Sequence, residues 1–266
     1  MAPAGIPAPV DLLSAWTIVR LKTTTSTNDT AADLARHGAP DGTVVVADRQ
    51  SAGRGRRGRL WLAPSGRCLL CSLLLRPAIS PAQAPRLTML AAVAAVRAIQ
   101  ALGLTASVKW PNDVLVSKSD GRGAGGDDRG GKAGGILTET EIVGDSLAYA
   151  IVGIGLNVNV KLEDLAAISP QAASLNVVAG RRFSRPRLFR LLLTEIEVRY
   201  SVMAQDGGDA VQQEWASLLD TIGRHVTVTS NESAVTGLAE GVDDSGALLV
   251  RRAGGELSRV TFGDVE

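Results

Sequence analysis

Guanidinium groups crowd one stretch of this chain. Gly53 to Trp61 reads GRGRRGRLW, and Arg49, Arg54, Arg56, Arg57 and Arg59 fall within eleven residues. Guanidinium forks pair bidentately with phosphate and carboxylate oxygens, and interspersed glycines let backbone N–H groups approach an anion closely. Trp61 adds a face for a ring or an alkyl stem. Like charges this close repel unless an anion sits among them. The stretch therefore reads as an anion-binding loop rather than a solvated basic turn.

The same residues satisfy G-x-G-x-x-G, so a dinucleotide fingerprint has to be weighed. That fingerprint needs a strand running straight into the glycines and a helix straight out of them. Here DRQSA intervenes before Gly53, RLWLAPSGR afterwards is no helix, and arginine fills every variable position. The dinucleotide reading fails on context.

Four further clusters carry polar chemistry. In KWPND, Lys109 to Asp113, Pro111 restricts Trp110 to an extended conformation. Asn112 and Asp113 are thereby presented at a turn beside the Lys109 ammonium, although an ordinary strand–turn–strand fits the pentapeptide equally well. In GKAGGIL, Lys132 enters a strand holding Gly134 and Gly135, and strand glycines often mark close approach of a ligand or another backbone. GIGLNV, Gly153 to Val158, is a second glycine-bearing strand and includes Leu156 and the polar Asn157. Ser26, Thr27 and Asn28 put two hydroxyls and an amide at a helix start, where N-capping is also expected.

The elements that position these groups follow from pattern. Trp16 to Thr24 alternates like a strand, a helix follows to the Gly38 stop, and TVVVAD (Thr43 to Asp48) is a β-branched strand. CLLCSLLL reads as a buried strand, and the alanine- and leucine-rich run from Gln83 to Leu102 as a long buried helix. SVKW, DVLV, KAGGILTETEIV and SLAYAIVGIGLNVNV are strands, and the glycine-rich stretch Ser117 to Gly131 is a flexible connection. Without ligand, that connection and Gly53 to Arg59 are the internal segments expected to be most mobile. A helix runs from Pro186 to about Met203 and a shorter one carries Trp215. Beyond Asp220 four short strands with turn signals suggest an SH3-like barrel. The expected fold is α+β: residues 1–219 form a mixed sheet with helices on one face, and 220–266 the small barrel.

Bulk properties narrow the function. Lys+Arg 28 against Asp+Glu 27 and 3% aromatic residues offer neither the broad basic footprint nor the stacking platforms of a nucleic-acid binder. No apolar run approaches the length of a membrane helix, and no secretory signal opens the chain. Cys68 and Cys71 lack partners at zinc-ligand spacing and read as reduced core thiols, which implies a cytoplasmic protein.

Together, STN, QSAGRGRRGRLW, KWPND, KAGGIL and GIGLNV stand in the order and rough spacing of the biotin–protein ligases, which the chain resembles from about Lys22 to Val265. The resemblance implies a synthetase-like catalytic domain that activates biotin with ATP and magnesium to biotinyl-5'-AMP plus pyrophosphate. It then transfers biotin to a lysine of a biotin carboxyl carrier domain of an acyl-CoA carboxylase. Carried over residue by residue, Ser26, Thr27 and Gln50 face the biotin head group, with Asn28 beside them and Gly53 and Arg56 closing over it. Gly134, Gly135, Leu156 and Asn157 belong to the same cavity. Arg54, Gly55, Arg56, Arg57 and Arg59 form a loop ordering over the adenylate, supported by Trp61. Lys132 reaches the carboxylate and α-phosphate, while Lys109, Asn112, Asp113 and Asn157 hold phosphates directly or through magnesium. Asp113 is the candidate base for the acceptor amine, and Lys132, Arg56, Lys109 and Asp113 are the catalytic set. About fifteen residues precede the first strand, too few for the helix-turn-helix that some members carry, so no DNA contact is expected. Two rivals remain: a lipoate- or octanoate-handling enzyme of related fold, and a non-catalytic nucleic-acid binder.

Overall fold

The computed structural model describes residues 16–118, 131–230 and 233–266. Its elements run β1 (Thr17–Thr24), α1 (Thr27–Arg36), β2 (Thr43–Gln50), β3 (Cys68–Leu75), α2 (Pro85–Gln100), β4 (Thr105–Lys109), β5 (Asp113–Ser117), β6 (Gly131–Val143) and β7 (Ser146–Asn157). Then come α3 (Leu162–Ile168), α4 (Leu175–Ala179), α5 (Arg185–Asp206) and α6 (Asp209–Ser217). The chain closes with β8 (His225–Ser230), β9 (Ser233–Val242), β10 (Leu248–Arg251), β11 (Leu257–Val260) and β12 (Asp264–Val265). The expectations for the first fifteen residues, and for most of the glycine-rich connection before β6, lie outside the described residues.

Seven strands form a mixed sheet in the order β1-β2-β3-β7-β6-β5-β4. Only β1 and β2 pair in parallel, and α1 supplies the crossover this requires. All eight residues of β3 are buried, so this strand is covered on both sides. Leu69, Cys71, Leu73 and Leu75 pack into the main core with α2 and α5. Leu74 meets Ala31 and Ala35 of α1, while Cys68 and Leu70 meet Leu165 of α3. Helices therefore lie on both faces, which corrects the one-face expectation. A continuous leucine run does not say which alternate residues meet which layer, because every position is apolar.

Between the GIGLNV strand and the helix at Pro186 the sequence pattern predicts no element, and the structure adds α3 and α4 there. At seven and five residues they are too short to show a 3.6-residue period. Their role is to return the chain beside β6, where Lys132 N–H donates to the Gln171 carbonyl and Ala173 N–H to the Lys132 carbonyl, both at 2.8 Å.

The second sheet is antiparallel, ordered β11-β10-β9-β8-β12. Five strands replace the expected four because ELSRVTFGDV breaks at Gly263, whose φ of +155° turns Asp264 and Val265 across to pair with Thr229 and Val228. A side chain at Gly263 would press on the Thr229 carbonyl, so the crossing sits tight against β8. Val226, Val228, Leu248 and Val250 join the same apolar core as α2 and Trp215. The Trp110 indole N–H donates to the Gly246 carbonyl at 3.0 Å, and Trp110 N–H to Thr221 Oγ1 at 3.0 Å. The small sheet is thereby fastened to the KWPND turn. No described helix is long and apolar enough to cross a membrane.

Candidate active site

Alternation along β7 and β6 builds the floor. Register pairs Leu70 with Gly155 and Ser72 with Gly153, and it also pairs Gly135 with Gly155, so these residues share the face opposite α2. A cavity of about 520 Å³ opens above them, lined by Ser26, Thr27, Gln50, Arg56, Trp61 and Lys132 among others. Bare backbone is what makes the room. A Cβ on Gly155 would stand 2.6 Å from Trp61 Cε2, and one on Gly153 would collide with the Asn28 amide.

One wall is the start of α1. Ser26, Thr27 and Asn28 are buried polar groups, and burial demands partners. Thr27 donates from its N–H and its Oγ1 to Gln50 Oε1, at 2.7 and 2.8 Å. Ser72 Oγ lies 2.7 Å from Thr27 Oγ1 and 2.6 Å from Asn28 Oδ1, so its one proton can serve either. Asn28 Nδ2 donates to Glu139 Oε2 at 2.6 Å. Ser26 occupies the N-cap position but makes no side-chain cap hydrogen bond, contrary to the capping expectation. It lines the cavity instead.

The opposite end is polar and charged. After the cis Trp110–Pro111 bond, Asn112 locks to β6: its Nδ2 donates to the Ile136 carbonyl at 2.7 Å, and Ile136 N–H returns to the Asn112 carbonyl at 3.0 Å. Lys132 Nζ and Asp113 Oδ1 form an ion pair at 2.8 Å, and the ammonium stands 6.0 Å from the Trp61 ring centroid. Lys109 lines the same end. A second cavity of about 730 Å³ adjoins it, sharing Lys109, Asp113, Lys132 and Gln171, and extends toward Thr221 and His225. The two spaces meet at the Lys132–Asp113 pair.

The arginine loop folds over the first cavity as a short hairpin, with Gly55 N–H donating to the Arg59 carbonyl and Trp61 N–H to the Gly53 carbonyl. Carboxylates of the chain itself pair with Arg54, Arg57 and Arg59, which corrects the expectation of arginines left to repel one another. Arg54 pairs with Asp29 and Glu139, each at 2.8 Å. Arg56 Nη1 donates to Asn112 Oδ1 at 2.6 Å. Arg57 and Arg59 both pair with Asp264 on β12. Burial pulls the Arg56 pKa down, against the opposing pull of Asp264 and Asp113. Burial would raise the Asp264 pKa, but its hydrogen bond to Arg59 and the three nearby guanidiniums hold it below the ordinary value. Cys68 and Cys71 are free, buried and pushed up to about 12 by burial, so neither is a thiolate nucleophile at neutral pH.

Five of the site residues expected from sequence do not line the first cavity: Gly53, Arg57, Gly134, Leu156 and Asn157. Leu156 and Gly134 share the opposite face, in register, and a Cβ on Gly134 would strike the Leu156 side chain. Asn157 is buried, its Nδ2 donating to the Ala173 carbonyl at 3.1 Å and its Oδ1 facing Cys68 Sγ. Gly53 underlies the loop, where a Cβ would meet the Trp61 carbonyl. Arg57 turns outward to Asp264. The remaining candidates, Ser26, Thr27, Asn28, Gln50, Arg54, Gly55, Arg56, Arg59, Trp61, Lys109, Asn112, Asp113, Lys132 and Gly135, surround one space.

Comparison with known proteins gives this geometry a family. Residues 20–157 match the model of the biotin/lipoate A/B protein ligase family, and residues 221–266 match that of the biotin protein ligase C terminal domain. The chain belongs to the biotin protein ligases. It is 37% identical over 243 residues to the bifunctional ligase/repressor BirA of Bacillus subtilis, covering 91% of this chain and 71% of that one. It is 34% identical to the biotin–[acetyl-CoA-carboxylase] ligase of Paracoccus denitrificans, covering 88% of this chain and 94% of that one. The biotin protein ligase of Aquifex aeolicus, solved in complex with biotin and ATP, superposes with a TM-score of 0.73. That match has 26% identity and covers 94% of this chain and 97% of that one.

Within this biotin protein ligase fold, five contributors carry little or no signal in the sequence. Ser72 had one signal, the lone hydroxyl in an otherwise apolar buried strand. Gly153 and Gly155 stand inside the GIGLNV motif, on the cavity side of the alternation, whereas Leu156 lies on the other. Asp264 and Glu139 had no local signal, because each meets its arginine across a long stretch of chain.

Proposed function

We propose that this ligase activates biotin with ATP, forming biotinyl-5'-AMP and pyrophosphate, and then passes biotin to a lysine of a biotin carboxyl carrier domain. The observation that carries the reading is the meeting of two cavities at Lys132 and Asp113, with Arg56 and Lys109 beside them. The first cavity suits the biotin bicycle. Its Thr27, Asn28 and Gln50, held from beneath by Ser72, offer polar groups to a ureido group, and its glycine floor suits an apolar ring. The second has room for the adenosine, which sets the α-phosphorus at the junction.

There a carboxylate oxygen attacks the α-phosphorus and the bond to the pyrophosphate bridging oxygen breaks. Negative charge builds on the phosphoryl oxygens, where Lys132, Arg56 and Lys109 stabilise it from fixed positions. In the second step an amine attacks the acyl carbon and AMP leaves. Asp113, released from Lys132 when that ammonium turns to the ligand, takes or orients the amine proton. Asp113→Asn with full transfer from preformed adenylate would remove Asp113 from this role.

Among the described residues no group of three or more His, Cys, Asp or Glu side chains forms a metal cage. The Asp113 carboxylate at the junction fits magnesium carried in on nucleotide phosphates with most of its waters retained. Bound there, the ion would neutralise phosphate charge. Free, deeply buried thiols agree with residence in the reducing cytoplasm.

Exchange of labelled pyrophosphate into ATP, run with biotin, lipoate and octanoate in parallel, tests the assignment. Exchange with biotin alone is expected. Exchange with lipoate or octanoate but not biotin would move the protein to the lipoate side of the family.

A further inference from the structure

Arg57 has φ 56° and ψ 35°, and no other non-glycine residue among those described has positive φ. Such a conformation is unfavourable for a residue with a Cβ and persists where surrounding contacts over-determine it. Here neighbouring guanidiniums take different side-chain partners. Arg56 points to Asn112 at the polar end of the cavity. Arg57 reaches Asp264 instead, its Nη1 donating to Asp264 Oδ2 at 3.2 Å and its guanidinium lying 5.6 Å from the Phe262 ring centroid. Arg59 completes the grip with both terminal nitrogens, one on each Asp264 oxygen, and Arg56 Nη2 reaches the Gly263 carbonyl at 3.4 Å. Asp264 is itself fixed by pairing with β8.

We propose that Asp264 is a positioning residue of the active site. Its carboxylate latches the far end of the arginine loop shut through Arg57 and Arg59, and this aims Arg56 at the reacting phosphate. The four arginines of the loop thus divide their labour. Arg54 fastens the near end of the loop to Asp29 and Glu139, Arg57 and Arg59 fasten the far end to the small sheet, and Arg56 stands between the two fastenings. The Arg59 side chain is 61% exposed and that of Asp264 35%, and ion pairs so placed add little to global stability. The effect of the latch falls on how much of the time the loop is closed, hence on retention of the acyl-adenylate, which closure protects from water.

The inference rests on the adenylation reading, and its test separates the two. In the full-length protein with biotin and ATP but no acceptor, Asp264→Asn is expected to leak adenylate about tenfold faster, measured as AMP release. Its melting temperature should stay within about one degree of wild type. Asp264→Glu should recover most of the retention, and Arg59→Gln combined with Asp264→Asn should leak no faster than Asp264→Asn alone. Wild-type leakage in Asp264→Asn would overturn the latch, and so would a lowered melting temperature with leakage unchanged. Should the wild type show no biotin-dependent exchange, the adenylation reading falls, and limited trypsin digestion still reads the latch. Cleavage after Arg57 or Arg59 is expected to be faster in Asp264→Asn, and equal rates would refute it.

Discussion

The two faces of the central sheet are built from neighbouring residues of the same strands, yet they have opposite compositions. On the face toward α2 stand Leu69, Cys71, Leu73 and Leu75 of β3, with Val152, Ile154 and Leu156 of β7. One residue along in each case, the other face carries Leu70 and Ser72, with Gly153, Gly155 and Gly135 opposite them. The first face is filled by side chains to core density. The second is emptied by glycine, and the space is bordered by hydroxyls and amides. A one-residue displacement along a strand therefore changes a residue's task from holding the fold to shaping the site.

Substitutions on the two faces should separate cleanly. At the cavity junction, Lys132→Ala should lower biotin-dependent pyrophosphate exchange by about a hundred- to a thousandfold, since it removes a fixed cation from developing phosphoryl charge. Gly155→Val should lower exchange on the order of a hundredfold with little change in melting temperature. Its side chain enters space where Trp61 already stands 2.6 Å from a Cβ position. Ser72→Ala should raise the KM for biotin several-fold and cost about 1 kcal/mol of stability, because Thr27 and Asn28 lose a shared partner. Across the sheet, Leu156→Ala should leave exchange per folded molecule near wild type while lowering stability by about 2–5 kcal/mol in urea unfolding. Loss of exchange in Leu156→Ala without loss of stability would break the comparison.

The smallest effect concerns pH. The Asp264 carboxyl has a folded pKa below its ordinary 3.8. Its contribution is therefore complete above about 3.8 and fades only as pH falls through the lower folded value. A carbon-13 carboxyl titration should place its midpoint below 3.8, and adenylate retention should show no Asp264-dependent change between about pH 5 and 8.

Much of this was legible in the residues. Local pattern located every strand of the large sheet and four of the six helices, and most residues of the arginine loop and of KWPND line one cavity. Three kinds of feature were not legible. Uniformly apolar strands conceal which residues face which layer, as with Leu156 against Gly155. Helices of one or two turns, α3 and α4, carry no period. Partners far apart in sequence, such as Arg59 with Asp264, leave no local trace.

By itself, then, the sequence determined the chemistry available: a clustered set of guanidiniums, two lysines, an amide–carboxylate turn and strand glycines. Side-chain type is a local property, and so are turn and cap preferences. Only the tertiary structure decided which of these groups meet. Strand parity placed the bare backbone of Gly153 and Gly155 beneath the cavity, and the crossing at Gly263 carried Asp264 to the arginine loop. Both depend on register and on the docking of the small sheet, which arise from packing across the whole molecule.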